Sequence, residues 1–266
     1  MKPSVRTPLP GPKAWALLER GERVLSPSYV RPYPFVPARG QGAFLEDVDG
    51  NLFLDFMSGI AVDTTGSAHP GVVEAVRAQA ERFARVCFSD FTREPTLSLA
   101  ERLVGKLGGG YRVFFGNSGT EGVEAAIKLV RYHTRRPYLL AFTGAFHGRS
   151  LGALSLTASK SAYRQGFAPF LPGVVHLPFP NPFRPPLGAR PEEAGDAVLD
   201  HLEHLFQTVL PPEEVAALFL EPIQGEGGYV VPPPGFIPRL KEVLDRFGIL
   251  LVADEVQTGA GRTGRF

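Results

Sequence analysis

The sequence predicts an α/β fold with a mostly parallel sheet and helices on both faces. Two observations support this prediction. From residue 113 onward, short apolar runs typical of strands alternate with amphipathic stretches typical of helices, which is the pattern of βαβ units. The apolar runs are also continuous, as in residues 249–253, and continuous runs indicate strands that are covered on both faces.

The amino-terminal part of the chain predicts an arm and a hairpin. Prolines are frequent up to residue 40, and only residues 13–20 have a helical pattern. Two alternating runs surround Asp49-Gly50-Asn51, which predicts a β-hairpin over residues 43–56. We expect residues 1–70 to form an N-terminal arm and the hairpin segment of a small domain, and residues 71–266 to form a large domain.

Two helices and then a regular alternation are predicted beyond the hairpin. The two helices cover residues 72–83 and 96–107, the second with Thr96 as its N-cap. The predicted strands are then residues 113–115, 138–142, 174–177, 215–220 and 249–253, and the predicted helices are residues 121–133, 194–209 and 236–247. Residues 178–192 hold several prolines and predict a surface loop.

Composition favours small-molecule chemistry. With 266 residues, 44% of them hydrophobic, the chain can bury a sizeable core, which excludes disordered and fibrous classes. The net charge is +1 with both signs spread along the sequence, which gives no electrostatic footprint for nucleic acid or an anionic membrane. We therefore expect small molecules and other subunits as partners, with no nucleic acid and no membrane.

The single cysteine, Cys87, favours a cytoplasmic location. One cysteine permits no internal disulfide, which fits a reducing compartment. No apolar run approaches the length that spans a membrane, and the first residues do not resemble a signal peptide. The apolar neighbours Val86 and Phe88 predict that Cys87 is a small packed side chain and not a nucleophile.

The stretch from Gly116 to Glu121 suits an anion. It lies between a predicted strand and an amphipathic helix, where the backbone N–H groups of Ser118, Gly119 and Thr120 would point at a phosphate. An ordinary capped helix, with Ser118 or Thr120 as the N-cap, accounts for the same residues. The stretch is not a Walker loop, because Gly-Lys-Ser/Thr is absent. The residues alone leave both interpretations open.

Phe146 and His147 stand between glycines on the loop after the next predicted strand. An aromatic side chain at the ligand edge of a sheet can stack on a flat ring. The plainer alternative is that Phe146 packs in the core and that His147 caps a turn.

Acidic side chains follow two further strands. Glu221 and Glu226 border a glycine-rich loop, where Glu226 either lies near the ligand edge or is simply solvated. Asp254, with Gln257 nearby, follows residues 249–253 and could bind Mg²⁺, act as a base or hold a protonated ring nitrogen. A phosphate-binding turn, an aromatic side chain and an acid each follow a different strand. Together they fit a phosphorylated heterocycle with a cationic nitrogen. That molecule is pyridoxal 5'-phosphate.

Two other motifs are weaker. Residues 259–264 match G-x-G-x-x-G, but no helix is predicted after them, and the chain as given ends before the position about 20 residues on where an acid would be expected. We therefore expect no dinucleotide site. His201 and His204 lie one turn apart on an amphipathic helix without a third ligand nearby, so we expect no metal site.

These motifs, in this order, resemble those of the class III pyridoxal-phosphate aminotransferases, the group of acetylornithine, ornithine and 4-aminobutyrate aminotransferases. The resemblance runs from about residue 40 to residue 266. It is carried by Asp47-Val48-Asp49-Gly50, Ser58-Gly59-Ile60-Ala61-Val62, His69-Pro70, Asn117-Ser118-Gly119-Thr120-Glu121, Phe146-His147-Gly148-Arg149, Glu221-Pro222-Ile223-Gln224-Gly225-Glu226-Gly227-Gly228 and Asp254-Glu255-Val256-Gln257-Thr258-Gly259. It implies a fold type I transferase whose large domain binds pyridoxal phosphate and is incomplete at its C-terminus.

The resemblance implies two groups of site residues. The residues at the cofactor are Ser118, Gly119, Thr120, Phe146, His147, Asp254 and Gln257. The residues at the substrate are Ile60, Arg149 and Glu226. In the family, the acid at position 254 holds the pyridine nitrogen, and the acid at position 226 is a gate that pairs with an arginine when a substrate carboxylate is absent.

The resemblance also implies a function. The family moves an amino group from an ω-amino or basic amino acid to a 2-oxoacid and works as a homodimer, and amino-acid racemases share its fold and motifs. The family's Schiff-base lysine comes after the Asp254 motif, and none of the six lysines of this chain follows a fifth core strand. We therefore expect that lysine to lie outside the chain as given, which would be inactive alone. A truncated, non-catalytic product remains an alternative.

Overall fold

The chain divides into two compact units in the computed structural model, which describes residues 1–264 and 266. The first unit holds residues 1–110 with residues 260–264 and 266, and the second holds residues 111–259. Within the described residues, no helix is long and apolar enough to cross a membrane. The domain boundary expected at residue 70 stays a prediction.

The first unit contains a three-stranded antiparallel sheet with helices before and after it. The strands are β1 (Pro37–Gln41), β2 (Phe44–Asp47) and β3 (Leu52–Leu54), in the spatial order β1-β2-β3. The helices are α1 (Pro12–Val24), α2 (Ser58–Ala61), α3 (Pro70–Arg82) and α4 (Glu94–Lys106). Strands β2 and β3 form the hairpin that the Asp-Gly-Asn turn predicts.

Asp49, in the hairpin turn, caps helix α1. Its two carboxylate oxygens accept hydrogen bonds from the backbone N–H groups of Lys13 and Ala14, each at 2.9 Å. First-turn N–H groups have no acceptor inside their own helix, so this acid satisfies them. A Cβ atom at Gly11 would lie 2.3 Å from Asp49 Cγ, which explains why a glycine precedes the helix.

Three features of the first unit differ from the sequence prediction. Strand β1 forms in the proline-rich arm because it pairs with β2 across the short loop Gly42-Ala43, a pairing that the frequent prolines before it do not indicate. Helix α4 begins at Glu94, so Thr96 is not its N-cap; Pro95 fits the first turn because the N–H it lacks would have no acceptor there. Cys87 is exposed, since its apolar neighbours do not form a buried face.

The second unit is a parallel sheet with helices packed on it. The strands are β4 (Tyr138–Phe142), β5 (Val174–Leu177), β6 (Val215–Leu220) and β7 (Leu250–Ala253), in the spatial order β5-β4-β6-β7, and every pair is parallel. The helices are α5 (Gly119–Thr134), α6 (Leu151–Leu156), α7 (Ser161–Arg164), α8 (Ala194–Thr208) and α9 (Phe236–Arg246). Short 3₁₀ turns lie at Pro186–Gly188, Pro191–Glu193 and Pro212–Glu214.

Alternate residues of the central strands pack against different helices. One buried cluster joins Leu140, Phe142, Leu218 and Leu220 of β4 and β6 to side chains of α8 and α9, including Leu202 and Leu240. The other joins Leu139, Ala141, Ala217 and Phe219 to α5 and α6, including Val123, Ile127 and Ala153. Both faces of the sheet are therefore covered, which confirms the predicted α/β fold and explains the continuous apolar runs.

Two strand predictions fail in this unit. Strand β7 is an edge strand among the described residues: Leu251 and Val252 are only half-buried and Leu250 is 36% exposed, so its apolar run does not mean burial on both faces. Residues 113–115 form no strand, because they make no ladder with either edge of the sheet within the described part of the chain. The short helices α6 and α7 are not predicted either.

Candidate functional site

Three loops of the second unit meet at one edge of the sheet. They follow β4, β6 and β7, which are parallel and in register, with Leu140 opposite Leu218 and Leu220 opposite Ala253. The carboxyl ends of the three strands therefore lie side by side. Ligands of open α/β sheets bind at this edge.

Asp254 and His147 form a buried pair between two of these loops. Asp254 Oδ2 lies 2.8 Å from His147 Nδ1, and the two side chains are 7% and 0% exposed. Asp254 Oδ1 accepts a second hydrogen bond, at 3.1 Å, from the backbone N–H of Val256. Because Nδ1 faces a carboxylate, this nitrogen carries the imidazole proton and donates it. The structure brings together two residues that the sequence predicts separately.

The His147 ring is held in place from its backbone. Its N–H donates to Thr157 Oγ1 at 2.9 Å, and that hydroxyl donates to the carbonyl of Gly148, also at 2.9 Å. The Nε2 atom of His147 is buried without a hydrogen-bond partner in the described part of the chain. Among the described residues, Asp254 is thus the hydrogen-bond partner of the imidazole ring. Each of the two side chains fixes the orientation of the other.

The N-terminus of α5 lies beside the same loops and is capped by its own residues. Ser118 is the N-cap, with Oγ accepting from the N–H of Glu121 at 3.3 Å. The Glu121 carboxylate accepts in turn from the N–H of Asn117 at 2.6 Å. The capped-helix interpretation of this stretch is therefore right for Ser118. It does not exclude an anion, because one cap leaves other first-turn N–H groups without an intrahelical acceptor.

Close contacts join α5 to the loops after β4 and β7. Thr120 Oγ1 lies 2.6 Å from Ser150 Oγ, which ties the first turn of α5 to the loop after β4. A Cβ atom at Gly119 would lie 2.9 Å from both methyl carbons of Val256, in the loop after β7. Gly119 therefore has a packing reason to be glycine.

Phe146 is held by an acid from the neighbouring loop. Its backbone N–H donates to Glu221 Oε1 at 3.0 Å, and the other oxygen of Glu221 accepts from the N–H of Gly225 at 3.2 Å. Glu221 is 8% exposed, and this burial raises the pKa of its carboxyl group against the opposing effect of its hydrogen bonds. One buried carboxyl group therefore braces the loops after β4 and β6.

The Phe146 ring contacts a second aromatic ring. Its centroid lies 5.6 Å from that of Tyr163, in an edge-to-face arrangement with 72° between the ring planes. Phe146 is half-buried, so it does not pack wholly inside the core as the plainer interpretation holds. Its ring is fixed by Tyr163, and its backbone is fixed by Glu221.

Within the described residues, Glu226 pairs with a lysine and a tyrosine and not with an arginine. Its Oε1 atom accepts hydrogen bonds from Lys160 Nζ at 2.5 Å and from Tyr163 Oη at 2.7 Å. The hydrogen bond from Lys160 lowers the pKa of the Glu226 carboxyl group. Glu226 therefore carries its negative charge at neutral pH and is not a freely solvated acid.

Gln257 and Gln224 approach the glycines of neighbouring loops. A Cβ atom at Gly225 would lie 2.1 Å from Gln257 Oε1, so the loop after β7 touches the loop after β6 at a glycine. Gln224 is buried, and its amide donates to the carbonyl of Thr143 at 2.9 Å. These contacts explain the glycine-rich composition of the loop after β6.

The two other residues expected at a substrate are exposed. Arg149 lies on the loop after β4, close enough to Tyr163 for its charge to act on the phenol. Ile60 belongs to the first unit, where it has a φ of 67° and a side chain that is 67% exposed. The position of Ile60 beside a substrate stays a prediction from the resemblance.

Sequence reasoning missed four residues of this site: Glu221 as a brace, Val256, Lys160 and Tyr163. Glu221 was visible as an acid, but its partners are backbone N–H groups, which have no sequence signal. Val256 lay inside the Asp254 motif as an apolar residue just after a strand, and that position was the available signal. Lys160 and Tyr163 lie more than 60 residues before Glu226, in a region without predicted structure.

The site combines three chemical functions at one edge of the sheet. A helix N-terminus can bind an anion, an aromatic ring can pack against a flat molecule, and a buried acid can hold a cationic nitrogen. They are supplied by α5 and by the loops after β4 and β7. This set suits a phosphorylated aromatic cation better than a metal ion, since Asp254 is already committed to His147 and to a backbone N–H.

The sequence matches the family model described as aminotransferase class-III over residues 25–266. Among its relatives, the alanine/serine racemase of Pyrococcus horikoshii is 46% identical over an alignment of 272 positions, which covers 99% of this chain and 57% of that protein. The acetylornithine aminotransferase of Mycolicibacterium smegmatis is 42% identical over an alignment of 253 positions, which covers 94% of this chain and 57% of that protein.

The fold matches solved structures of the same kind. An amine transaminase from an uncultivated Pseudomonas species, in a form with bound pyridoxal phosphate, is 33% identical and superposes with a TM-score of 0.80. The match covers 89% of this chain and 55% of that chain. The chain thus spans a little more than half the length of the relatives it matches.

Proposed function

The chain belongs to the class-III aminotransferases, and from that premise we propose that the complete protein is a pyridoxal-phosphate enzyme. It transfers an amino group from an ω-amino or basic amino acid to a 2-oxoacid. The observation that carries the proposal is the buried pair of Asp254 and His147 at the ligand edge of the sheet.

Residues of the second unit would hold the cofactor. They are Ser118, Gly119, Thr120, Phe146, His147, Asp254 and Gln257. The donor set fits the group: Asp254 accepts two hydrogen bonds, while a carboxylate has about four lone-pair sites, so acceptor capacity remains for a ring N–H. The α5 N-terminus fits a phosphate, because its first-turn N–H groups and partial positive charge favour an anion.

The residues of the site have different roles in the proposed reaction. When bound, pyridoxal phosphate supplies an electron sink for the carbanion that forms on the substrate. Asp254 keeps the proton on the pyridine nitrogen, and His147 holds Asp254 in the orientation that this requires. Phe146 would pack against the ring, and Gln257, by the family resemblance, would lie beside its phenolic oxygen. Arg149 and Glu226 act on the substrate.

A substrate panel tests the proposal. The complete protein, loaded with pyridoxal phosphate, is incubated with ω-amino and basic amino acids and with a 2-oxoacid, and both products are quantified by chromatography. We expect the new amino acid and the aldehyde or keto product in equal amounts. A cofactor-loaded protein that forms neither product with any member of the panel would contradict the proposal.

A second candidate function is amino-acid racemisation with the same cofactor. The relative that favours it is named alanine/serine racemase and is 46% identical to this chain. Single enantiomers of alanine and serine distinguish the two functions. A racemase inverts them without a 2-oxoacid, whereas an aminotransferase consumes them only when a 2-oxoacid is present.

We also propose that the complete protein is a cytoplasmic homodimer. The single cysteine, which cannot form an internal disulfide, supports a reducing compartment. Exposed apolar side chains on α5, Leu129 at 66% and Tyr132 at 71%, support further packing partners for the second unit. Analytical ultracentrifugation of the complete protein tests the dimer, and a monomer at micromolar concentration would contradict it.

A further inference from the structure

The hydroxyl group of Thr157 holds the backbone around His147. Thr157 follows helix α6 and is fully buried, at 0% exposure. Its Oγ1 atom accepts from the backbone N–H of His147 at 2.9 Å. The hydroxyl has one proton, and the nearer of two carbonyl oxygens in reach is that of Gly148 at 2.9 Å, with that of Ala153 at 3.2 Å. One buried side chain thereby fixes the chain just before and just after the His147 side chain.

The segment after α6 runs along the loop that carries His147. The N–H of Ala158 donates to the carbonyl of Ala145 at 2.8 Å, and the carbonyl of Ala158 accepts from the N–H of Gly144 at 3.0 Å. Together with the bonds of Thr157, these contacts tie two neighbouring residues to the loop after β4. The position of Thr157 therefore determines the course of the backbone at His147.

Arg164 holds Thr157 in turn. Its Nη1 atom lies 3.0, 3.1 and 2.7 Å from the carbonyl oxygens of Leu154, Ser155 and Thr157. Carbonyl groups at the end of a helix have no N–H partner inside that helix, so a guanidinium group is a suitable donor for them. Its Cζ atom lies 4.0 Å from the centroid of the Phe170 ring, which packs against the guanidinium group and limits its movement.

The remaining carbonyl of this turn, that of Leu156, is bound from strand β5. It lies 3.0 Å from His176 Nε2, and because a carbonyl oxygen can only accept, Nε2 carries the proton and donates it. Burial lowers the pKa of His176, so its ring is neutral at neutral pH. Each of the carbonyl groups of residues 154–157 thus has a side-chain donor, and the end of α6 is held from two sides.

These contacts form one path from Arg164 to the carboxylate of Asp254. Arg164 binds the carbonyl of Thr157, the Thr157 hydroxyl binds the backbone of His147, and His147 Nδ1 lies 2.8 Å from Asp254 Oδ2. The other ring nitrogen of His147 has no hydrogen-bond partner among the described residues. The backbone of His147 therefore sets the direction of its ring, and a shift of that backbone changes how Asp254 is held.

We propose that Thr157, held by Arg164, is a positioning residue for the pair of Asp254 and His147. It acts on the ring nitrogen of the cofactor through these two side chains. The inference rests on the proposed function, in which Asp254 holds that nitrogen. Its consequence is selective: loss of the Thr157 hydroxyl weakens the hold on the ring nitrogen and leaves the binding of the phosphate unchanged.

The test compares two cofactors on the complete protein. One is pyridoxal phosphate, and the other is 1-deazapyridoxal phosphate, in which C–H replaces the ring nitrogen. Fluorescence titration gives the affinity for each. We expect the wild type to prefer pyridoxal phosphate about tenfold or more, the scale of one charge-assisted hydrogen bond.

The variants should change this preference in a set order. Thr157→Val keeps the shape of the side chain without the hydroxyl, and we expect it to reduce the preference about fivefold, which is most of what that hydrogen bond contributes. Thr157→Ser, which restores the hydroxyl, should restore the preference. Arg164→Met should reduce it in the same direction, and Thr157→Val decides the question even if Arg164→Met does not fold.

The matched control is Thr134→Val, at the opposite end of α5 from the proposed phosphate site. The Thr134 hydroxyl also joins two backbone groups, since it donates to the carbonyl of Val130 at 2.7 Å and accepts from the N–H of Arg136 at 3.2 Å. We expect this variant to lower the Tm, measured by scanning calorimetry, without changing the preference between the two cofactors.

A residue that only stabilises the fold would produce equal losses of affinity for both cofactors. Equal losses in Thr157→Val would therefore overturn the proposal. So would an unchanged preference in Thr157→Val or in a folded Arg164→Met, or the same reduction in Thr134→Val. A wild type that takes up neither cofactor contradicts the proposed function itself, and one that binds both equally contradicts the role of Asp254.

Discussion

In the part of the chain that the structure describes, two groups hold Asp254 in place. His147 fixes one oxygen and the backbone N–H of Val256 fixes the other, in a place where the side chain is 7% exposed. An acid held in this way keeps one orientation, and a fixed charge at a reacting site needs no reorganisation during the reaction. This arrangement favours holding a cationic nitrogen over acting as a mobile base.

Asp254→Asn tests the role of this charge. If Asp254 holds the pyridine nitrogen as proposed, the amide keeps the shape but cannot hold a proton on that nitrogen. We therefore expect the rate of amino-group transfer by the complete protein to fall at least about 100-fold, the scale for losing one electrostatic partner at a reacting centre. Single-turnover kinetics measure the rate, and absorbance shows whether the cofactor is bound.

The control is Asp245→Asn, which removes an exposed acid on α9 that pairs with Lys241. We expect its rate to stay within about twofold of the wild type, because the pair is exposed and outside the site. Equal rates in Asp254→Asn and the control would contradict the role of Asp254.

Glu221 gives the site a pH-dependent stability. Burial raises the pKa of its carboxyl group above the ordinary value of 4.5. A carboxyl group that binds its proton more tightly in the folded state stabilises the fold below its unfolded-state pKa, and this contribution is lost as the pH rises through the folded-state pKa. We expect the Tm of the wild type, measured relative to Glu221→Gln, to fall as the pH rises above 4.5.

The comparison with Glu221→Gln cancels the titration of all other groups. The glutamine cannot titrate, but its amide N–H₂ faces a backbone donor, which lowers the Tm by a constant amount. Scanning calorimetry of both proteins at several pH values measures the difference. Two parallel curves would show that Glu221 has the same pKa in the folded and unfolded states.

At the scale of the element, the first turn of α5 contains two glycines in different surroundings. A Cβ atom at Gly119 would meet both methyl carbons of Val256 at 2.9 Å, whereas a Cβ atom at Gly122 has no neighbour within 4 Å. Substitution by alanine should therefore have opposite effects on stability at these two positions, which are three residues apart. The contrast tests whether the contact with Val256 positions this helix N-terminus.

We expect Gly119→Ala to weaken cofactor binding and Gly122→Ala to leave it unchanged. Overpacking at Gly119 lowers the stability of the fold by about 1 kcal/mol or more. It also displaces the loop after β7 from the α5 N-terminus, where the phosphate is proposed to bind. Alanine at the exposed position 122 raises helix propensity by about 0.5–1 kcal/mol, so this variant should have a higher Tm. Fluorescence titration with pyridoxal phosphate measures the affinity, and equal affinities would show that the contact with Val256 is not needed.

At the scale of the molecule, periodicity predicts the parts of the fold that are locally determined. Strands β4, β5 and β6 match their predicted bounds, because apolar runs, interrupted only by His176 in β5, lie between glycines, prolines and polar residues that limit where each strand can begin and end. Two strand predictions are wrong in opposite ways: β1 is present but not predicted, and residues 113–115 are predicted as a strand but form none. In both cases strand pairing decides the outcome: β1 forms a ladder with β2, whereas residues 113–115 form no ladder within the described part of the chain.

The candidate site divides in the same way. Residues with a distinctive type and position after a strand, such as Asp254, Phe146 and Ser118, could be selected from the sequence. Their contacts could not, since the partners of Asp254 and Phe146 are an imidazole 107 residues away and a carboxyl group 75 residues away. Sequence reasoning thus finds the residues of the site, while the fold determines how they pair.

Strand β6 and the loop after it show how one fold can support different reactions. All six of its residues are buried, and its side chains pack against the helices on both faces of the sheet, so a change at any of them disturbs the core. In the loop that follows it, the Glu226 side chain is 33% exposed, so a change at this position does not disturb the core. Selection can therefore alter the chemistry at the rim while the strand stays as it is, which fits a family whose members bear the names of both transferases and a racemase.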